Sequence, residues 1–270
     1  MRNYKIPTLT IAGSDSSGGA GVQADLKTFS AIGTYGMSVI TAITAQNTEG
    51  VFDVEELSKE IIKGQMKAVF EDIPPKGVKI GMVSSPEIIL EIVENLKKYK
   101  PEILVVDPVM ISKSGYSLLR PEAKENLIKY LIPMAYLITP NVPEAEEITG
   151  MKIDGVEDMK KAGKKILELG PKYVLMKGGH LDGDAVDVLM GEDVFEVLSC
   201  PRINKKNTHG TGCTISSAIT AHLALGYDVI EAVRLSKKYI TEAIKRSFDI
   251  GHGVGPVSYT HLTLPTTRVV

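Results

Sequence analysis

Short apolar runs rich in β-branched residues alternate with longer segments of helical period along most of this chain. Runs such as Ile103–Asp107 and Tyr173–Lys177 are almost continuously apolar, which is typical of strands buried on both faces of a parallel sheet. The segment Val54–Phe70 instead places apolar residues at the spacing of one helix face. Strands that alternate with helices predict an open, doubly wound sheet with helices on both faces.

The last third of the chain changes this rhythm. Two predicted strands, Ala185–Met190 and Val194–Ser199, are separated by a short polar turn, which predicts a hairpin. Two successive helices, Thr211–Leu225 and Val229–Arg246, are predicted after it. No internal repeat, low-complexity stretch or polar linker divides the sequence, so residues 1–256 are predicted to form a single domain.

The final segment, residues 257–270, has neither a helical nor a strand period and mixes Thr with scattered apolar residues. We expect this segment to be a non-native or disordered tail, and the fold prediction leaves it out.

The charge balance and the cysteine count exclude several classes of protein. The 31 Lys and Arg residues oppose 33 Asp and Glu, and a net charge of −2 argues against a broad electrostatic grip on nucleic acid or anionic lipid. No uncharged apolar stretch reaches the ~18 residues that a membrane-spanning helix needs. Two cysteines make no disulfide framework and no zinc site. We therefore expect a protein of the reducing cytoplasm that binds neither nucleic acid nor membrane.

A glycine-rich loop, Gly13–Gly21, follows the first predicted strand. The segment Gly19–Ala24 satisfies the spacing of a dinucleotide-binding fingerprint, but the sharp turn from the strand and the later acidic residue are missing, so a dehydrogenase is disfavoured. A nucleotide phosphate loop is excluded because Gly19 stands where its lysine would be. Two interpretations remain open: a tight turn, or a flexible, amide-rich loop over a small ligand.

A second glycine segment, Asn207–Cys213, immediately precedes a predicted helix. Glycines at the start of a helix expose unpaired N–H groups, and the helix dipole turns its positive end toward them. This arrangement predicts an anion hole for a phosphate group. Cys213 falls in the first helical turn, where the pKa of a thiol is depressed and a thiolate is favoured. The alternative is a small buried cysteine packed beneath a turn.

Polar side chains end two predicted strands and closely follow a third: Asp107, Lys177 and Asn141. In open α/β sheets the ligand crevice lies at the carboxyl ends of the strands. Together with Glu144, these residues supply carboxylate and amide oxygens that suit Mg²⁺, which proteins hold through few oxygens of their own and the phosphates of the substrate. Each residue alone also fits a helix cap or a surface charge, whereas the joint arrangement favours a phosphate-handling site.

Seven segments of the sequence match motifs of a known family, and these are Thr10–Gly21, Thr41–Thr48, Lys79–Met82, Val106–Met110, Thr139–Asn141, Lys177–His180 and Thr208–Cys213. Together they resemble the hydroxymethylpyrimidine/phosphomethylpyrimidine kinases of thiamine biosynthesis, in order from about residue 8 to Pro256. The resemblance implies a ribokinase-like, three-layer α/β/α fold with a mostly parallel central sheet. The sequence departs from the family at Val257–Tyr259, which agrees with a foreign tail.

The resemblance also implies a role for individual residues. The substrate pocket would be lined by Gly13, Asp25, Gln46, Met82 and Val109. The residues that would bind ATP are Asp107, Asn141, Lys177, Thr208 and Lys237, the last with Lys238 beside it as a competitor. The Mg²⁺ ligands would be Asp107 and Glu144. The catalytic residues would be Gly210, Thr211, Gly212 and Cys213, the last standing where other members of the superfamily have an aspartate base.

The activity that the resemblance implies is two successive transfers of the γ-phosphoryl group of ATP. The first acceptor is the hydroxymethyl group of 4-amino-5-hydroxymethyl-2-methylpyrimidine, and the second is the monophosphate so formed. A carboxamide such as Gln46 suits an aminopyrimidine because it offers both a hydrogen-bond donor and an acceptor. Two alternatives stay open: a pyridoxine or pyridoxal kinase on the same scaffold, and a non-catalytic sensor that only binds the pyrimidine. The resemblance also suggests a homodimer.

Overall fold

The computed structural model describes residues 5–111, 115–116, 118–181 and 183–259. The strands of this part of the chain are β1 (Pro7–Asp15), β2 (Tyr35–Gln46), β3 (Val51–Glu56), β4 (Gly77–Ile80), β5 (Leu104–Val106), β6 (Leu137–Ile138), β7 (Tyr173–Lys177), β8 (Ala185–Gly191) and β9 (Phe195–Cys200). They form one sheet in the order β3-β2-β1-β4-β5-β6-β7-β8-β9.

The centre of this sheet is parallel and its edges are antiparallel. Strands β2, β1, β4, β5, β6 and β7 run in one direction. Strand β3 pairs antiparallel with β2, and β8 and β9 form the predicted hairpin beside β7. The predicted mostly parallel sheet is therefore confirmed, and the carboxyl ends of its central strands lie along one edge.

The helices of the described chain are α1 (Gly21–Ile32), α2 (Lys59–Asp72), α3 (Pro86–Tyr99), α4 (Pro121–Asn126), α5 (Val142–Thr149), α6 (Val156–Leu167), α7 (Thr211–Ala224) and α8 (Val229–Lys245). Helix α4 continues as a π-helical turn, Leu127–Leu131, and a 3-10 turn, Ile132–Met134. Pro133 lies in that last turn, where its ring and missing N–H do not allow an α-helix to continue.

Successive residues of the buried strands face opposite helical layers. Val105 and Leu175 belong to an apolar cluster that includes residues of α1, α7 and α8. The next residues along the chain, Val106 and Met176, belong to a second cluster with residues of α2, α3 and α6. This period of two explains why these strands are apolar throughout, and it confirms the predicted three-layer α/β/α architecture.

The segment after β2 differs from the prediction. The expected helix Val54–Phe70 overlaps β3, and α2 begins only at Lys59, after the Ser58 side chain accepts a hydrogen bond from the Ile61 N–H. Strand β3 is stabilised by its antiparallel pairing with β2, from Ala42–Glu56 to Gln46–Val51. That pairing is a contact between strands, which the helical period of the segment does not show.

The C-terminal residues that the structure describes are packed. Val257 is fully buried, Tyr259 is 6% exposed, and the Ser258 N–H donates to the carbonyl of Ala243 in α8. The predicted end of the packed chain at Pro256 is therefore three residues too early, while residues 260–270 lie outside the described part of the chain. Within the described residues, no helix has the length and apolarity that a membrane span requires.

Candidate active site

Asp107 lies at the centre of the site, directly after β5. Its Oδ1 accepts hydrogen bonds from Lys177 Nζ at 2.8 Å and from Thr139 Oγ1 at 3.1 Å. Its Oδ2 accepts a hydrogen bond from Ser216 Oγ, in α7, at 3.3 Å. Strands β5, β6 and β7 are adjacent and parallel, so their carboxyl ends bring Asp107, Thr139 and Lys177 together at the predicted crevice.

Asp107 and Lys177 form a charged pair. Burial opposes a charge on Asp107, but Lys177 and Lys79 outweigh it and hold the pKa of this carboxyl below its ordinary value. Burial also opposes a charge on Lys177, yet Asp107 and Glu144 raise the pKa of its ammonium group. Lys177 is therefore charged at neutral pH and presents a cation to any phosphate that enters the site.

Asn141 and Glu144 form the N-terminal cap of α5. The Glu144 N–H donates to Asn141 Oδ1 at 2.9 Å, and the Asn141 N–H donates to Glu144 Oε2 at 2.8 Å. The Lys177 N–H donates to the carbonyl of Pro140 at 2.8 Å, which ties this cap to the end of β7. Burial raises the pKa of Glu144 to about 7, with Lys177 lowering it and the nearby Asp107 raising it.

Asp107 and Glu144 fit the predicted Mg²⁺ site by their chemistry. The negative charge of Asp107 helps to raise the pKa of Glu144, and a bound cation would relieve that repulsion. Within the described ranges, no three His, Cys, Asp or Glu side chains form a metal-binding group. A cation held by these two carboxylates would take its other ligands from water and phosphate, which is the habit of Mg²⁺. The metal-binding role of both residues stays a prediction.

The predicted anion hole is the N-terminus of α7. Gly210 has a φ of 78° and immediately precedes the helix, and the Thr211 side chain donates to the carbonyl of Thr208 at 2.7 Å. A Cβ atom on Gly212 would lie 3.6 Å from both Asp107 Oδ2 and Lys177 Nζ. The first helical turn therefore lies against the charged pair, with backbone N–H groups that have no acceptor within the helix.

Cys213, in the same turn, differs from its prediction. Burial raises the pKa of its thiol to about 11, with Asp25 and Asp107 adding to the rise and Lys79 opposing it. The expected depressed pKa is therefore wrong, because loss of solvent outweighs the helix N-terminus. Cys213 is a thiol at neutral pH in the structure as described, and any role as a base requires that its proton be removed.

The predicted substrate residues Gly13, Gln46 and Met82 lie on the other side of α7. A Cβ atom on Gly13 would lie 2.8 Å from Met82 Sδ, so glycine is what lets this methionine approach β1. Gln46 ends β2, and its Oε1 accepts a hydrogen bond from Thr44 Oγ1 at 3.1 Å. Gln46 Nε2 lies 3.3 Å from the Nε2 of His209, just before the anion hole. The acceptor side and the phosphate side thus meet at residues 209–210.

Sequence reasoning missed the carboxylate that organises the first glycine loop. Asp15 accepts hydrogen bonds from the N–H groups of Ser17, Gly19 and Ala20 at 2.8–3.1 Å, and its Oδ2 lies 2.8 Å from His209 Nε2. Burial opposes its charge, but His209 and Ser17 hold the pKa of Asp15 below its ordinary value. Both residues lie within matched motifs, and the alternation of glycine and hydroxyl residues around Asp15 was the available signal.

Asp25, predicted to contact substrate, does not face the pocket. Its side chain is fully buried in an ion pair with Lys79, at 2.9 Å between Nζ and Oδ2. Its two oxygens also accept hydrogen bonds from Thr10 and Ser217, each at 2.6 Å. A direct substrate contact is therefore wrong for Asp25, because both carboxylate oxygens are occupied inside the protein. Lys79 was not a candidate, since a lysine in a strand motif is ordinarily exposed.

Three further predicted residues lie around the central pair without contacting it. Lys237 Nζ donates to Asp187 Oδ2 at 2.6 Å, and Asp187 Oδ1 accepts from the Gly178 N–H at 3.1 Å, next to Lys177. The neighbouring Lys238 is exposed, so Lys237 is the lysine that faces the sheet. The half-buried Thr208 supplies its carbonyl to Thr211, and the half-buried Val109 donates its N–H to the carbonyl of Asp107 at 2.8 Å. Their predicted roles in binding ATP and substrate remain predictions.

Replacing Gly210 with alanine tests the contact between the two glycine loops. The new Cβ would lie 1.9 Å from the Gly19 carbonyl oxygen, at a φ of 78°. We expect a loss of ~2–4 kcal/mol in the free energy of unfolding, from backbone strain and overpacking together. The control is Gly150→Ala, at a φ of 68° with open space around it, for which strain alone predicts ~1 kcal/mol. Equal losses in chemical denaturation would contradict the contact.

The sequence of residues 15–258 matches the family model described as phosphomethylpyrimidine kinase. The chain is 52% identical over 257 residues to the hydroxymethylpyrimidine/phosphomethylpyrimidine kinase of Rhizobium meliloti, covering 94% of this chain and 96% of that protein. It is 49% identical over 252 residues to the thiamine biosynthesis bifunctional protein ThiED of Geobacter sulfurreducens. That match covers 93% of this chain but only 51% of the bifunctional protein.

Two solved structures are also similar. The crystal structure of phosphomethylpyrimidine kinase from Clostridium difficile 630 has 76% sequence identity and a TM-score of 0.81, covering 89% of this chain and 100% of that chain. The ADP complex of Bacillus subtilis pyridoxal kinase has 41% identity and a TM-score of 0.89, covering 95% and 98%. Kinases of two different ring alcohols therefore share this fold.

Proposed function

The chain belongs to the phosphomethylpyrimidine kinase family, and from this premise we propose that it phosphorylates 4-amino-5-hydroxymethyl-2-methylpyrimidine and then the resulting monophosphate, using ATP and Mg²⁺. The observation that carries the proposal is the position of Gly212, 3.6 Å from both Asp107 and Lys177 as measured from a built Cβ. A helix N-terminus and a fixed cation there share one small space. Such a space suits a migrating phosphoryl group, whose charge must be stabilised in transit.

The groups that would stabilise this charge are fixed before substrate binds. Lys177 is held by Asp107, and α7 is held by Ser216, which donates to the same carboxylate. The first-turn amides at Gly212 and Cys213 therefore keep their orientation relative to the ammonium group. Preorganised donors of this kind need no rearrangement as negative charge moves from ATP to the acceptor. A bound Mg²⁺, held by Asp107 and Glu144, would neutralise part of the charge of the ATP phosphates.

The two acceptors place different demands on the site. An alcohol must lose its proton on phosphorylation, and Cys213, in the first turn of α7, is the proposed base. A phosphate monoester is already largely dianionic near neutral pH, so its phosphorylation requires alignment and charge neutralisation more than a base. One anion hole therefore serves both steps, whereas Cys213 serves the first.

On the acceptor side, we propose that Gln46 recognises the aminopyrimidine ring and that Met82 packs against it. The hydrogen bond from Thr44 fixes the carbonyl end of the Gln46 amide, so its orientation is set before binding. Gly13 leaves room for Met82 at the base of this pocket. A donor and an acceptor on one carboxamide match an exocyclic amine beside a ring nitrogen.

A pyridoxal kinase is the second candidate, because the pyridoxal kinase fold is closely similar over nearly the whole chain. The test is a side-by-side measurement of kcat/KM with the hydroxymethylpyrimidine, its monophosphate and pyridoxal, each with Mg²⁺ and ATP. We expect turnover of the first two and a lower kcat/KM for pyridoxal. Preferred turnover of pyridoxal would contradict the proposal, and no ATP turnover with any acceptor would favour a sensor.

The assembly and the location of the protein remain predictions. We propose a homodimer on the family resemblance, and light scattering coupled to size-exclusion chromatography measures its mass directly. A monomer at micromolar concentration would contradict this expectation. A cytoplasmic location rests on the count of two cysteines and is likewise a prediction.

A further inference from the structure

Lys79 and Asp25 form an ion pair in the interior beneath the active site. Both side chains are completely buried, and Lys79 Nζ lies 2.9 and 3.1 Å from the two oxygens of Asp25. Thr10 and Ser217 each donate a hydrogen bond of 2.6 Å to the same carboxylate. A pair so completely removed from water gives little net stability compared with apolar side chains of the same volume. Its place in this fold therefore suggests a role other than stability.

The pair lies where α1 and α7 cross below Cys213. Ser217 is one helical turn after Cys213 and on the same face of α7, and its hydroxyl contacts Asp25. On α1, Gly21 is one turn before Asp25, and its N–H group hydrogen-bonds to Cys213. Two contacts of matching spacing thus align the helices, with Cys213 at one end and the ion pair at the other.

Five charged or titratable groups from different elements act on Cys213, and these are Asp25 in α1, Lys79 in β4, Asp107 after β5, Lys177 in β7 and Tyr259 in the C-terminal segment. Of the two cations, Lys177 belongs to the phosphate site. Burial opposes the charge on Lys79, but Asp25, Cys213 and Asp107 raise the pKa of its ammonium group far above the usual value. Lys79 is therefore a permanent positive charge.

We propose that Lys79 and Asp25 are positioning residues that set the charge around Cys213, with Lys79 favouring its thiolate and Asp25 favouring its thiol. Together the two charges cancel, which leaves Cys213 protonated at rest. Removal of one partner leaves a single uncompensated charge close to the sulfur. The two single substitutions must therefore change the reactivity of Cys213 in opposite directions, which a purely structural role does not predict.

The experiment measures the rate at which iodoacetamide alkylates Cys213 between pH 7 and pH 10, in a Cys200→Ser background so that one thiol remains. Below its pKa, a thiol reacts in proportion to its thiolate fraction, and a nearby unit charge shifts a buried pKa by ~1 unit or more. We expect alkylation about tenfold faster in Asp25→Asn and about tenfold slower in Lys79→Met. The double variant Lys79→Met/Asp25→Asn is expected to react within about threefold of the parent.

Changes in the same direction, or changes below twofold in both single variants, would overturn the proposal. Ser217→Ala is the structural control, because it removes a contact between α7 and Asp25 without altering charge; its alkylation rate should stay within twofold of the parent. If Lys79→Met fails to fold, the comparison of Asp25→Asn with the double variant isolates the lysine. Thermal unfolding of each variant separates instability from altered reactivity.

The proposal rests on the proposed function only for its effect on turnover. If Cys213 is the base for the alcohol, the pH profile of kcat/KM for that acceptor should move in the same direction as the alkylation profile. The profile for the monophosphate should not move. Opposite shifts in alkylation without any kinase activity would uphold the charge setting and count against the proposed function alone.

Discussion

Gly212→Val is expected to lower kcat for both phosphorylations by about 10²–10³-fold. A Cβ atom at this position fits, since its nearest neighbours are Asp107 Oδ2 and Lys177 Nζ at 3.6 Å. The two further methyl groups of valine would occupy the space between these charged groups and the first turn of α7. They would also remove water and phosphate from the amide donors, so the loss applies to any acceptor.

The control for this substitution is Gly212→Ala, whose single methyl group makes ordinary van der Waals contact with the charged pair. We expect alanine to retain most activity and both variants to keep the thermal stability of the parent within a few degrees. Survival of both activities in the valine variant would show that the phosphoryl group passes elsewhere.

Cys213→Ala is expected to separate the two reactions. Loss of a general base lowers the rate of alcohol phosphorylation by ~10²–10⁴-fold, whereas the monophosphate, which requires no deprotonation, should lose less than about tenfold. Because burial raises the pKa of the Cys213 thiol to about 11, kcat/KM for the alcohol should also rise with pH from 7 to 9. The measurement is steady-state kinetics with each acceptor at saturating ATP.

The matched control is Cys200→Ala, at the end of β9, which we expect to leave both reactions unchanged. Equal losses in both reactions of Cys213→Ala would contradict the base assignment and leave Cys213 as a packing residue. A flat pH profile for the alcohol would have the same meaning, since a thiol of high pKa gains thiolate steeply over this range.

The fold was readable from the sequence where local pattern and tertiary environment agree. Ile103–Asp107 and Tyr173–Lys177 were predicted as buried strands, and β5 and β7 lie in the middle of the parallel sheet. The same pattern placed Asp107 and Lys177 at one edge, where they form a direct ion pair. Strand β3 was missed because its stability comes from pairing with β2, which the sequence of Val51–Glu56 alone does not contain.

The site was readable in position but not in charge. Cys213 was correctly placed in the first turn of a helix, yet its predicted low pKa is wrong because the sequence does not show burial. Asp25 was assigned to the substrate although its oxygens are occupied by Lys79, Thr10 and Ser217. These partners come from β4, β1 and α7, and only the folded chain brings them together.

The most direct test of the central claim, that one anion hole serves two successive phosphoryl transfers, is a product time course. The protein is incubated with 4-amino-5-hydroxymethyl-2-methylpyrimidine, Mg²⁺ and excess ATP, and the phosphorylated pyrimidines are resolved by phosphorus NMR. We predict that the monophosphate appears first and is then converted to the diphosphate, and that both are absent in Gly212→Val over the same period. A monophosphate that accumulates without any diphosphate would contradict the account.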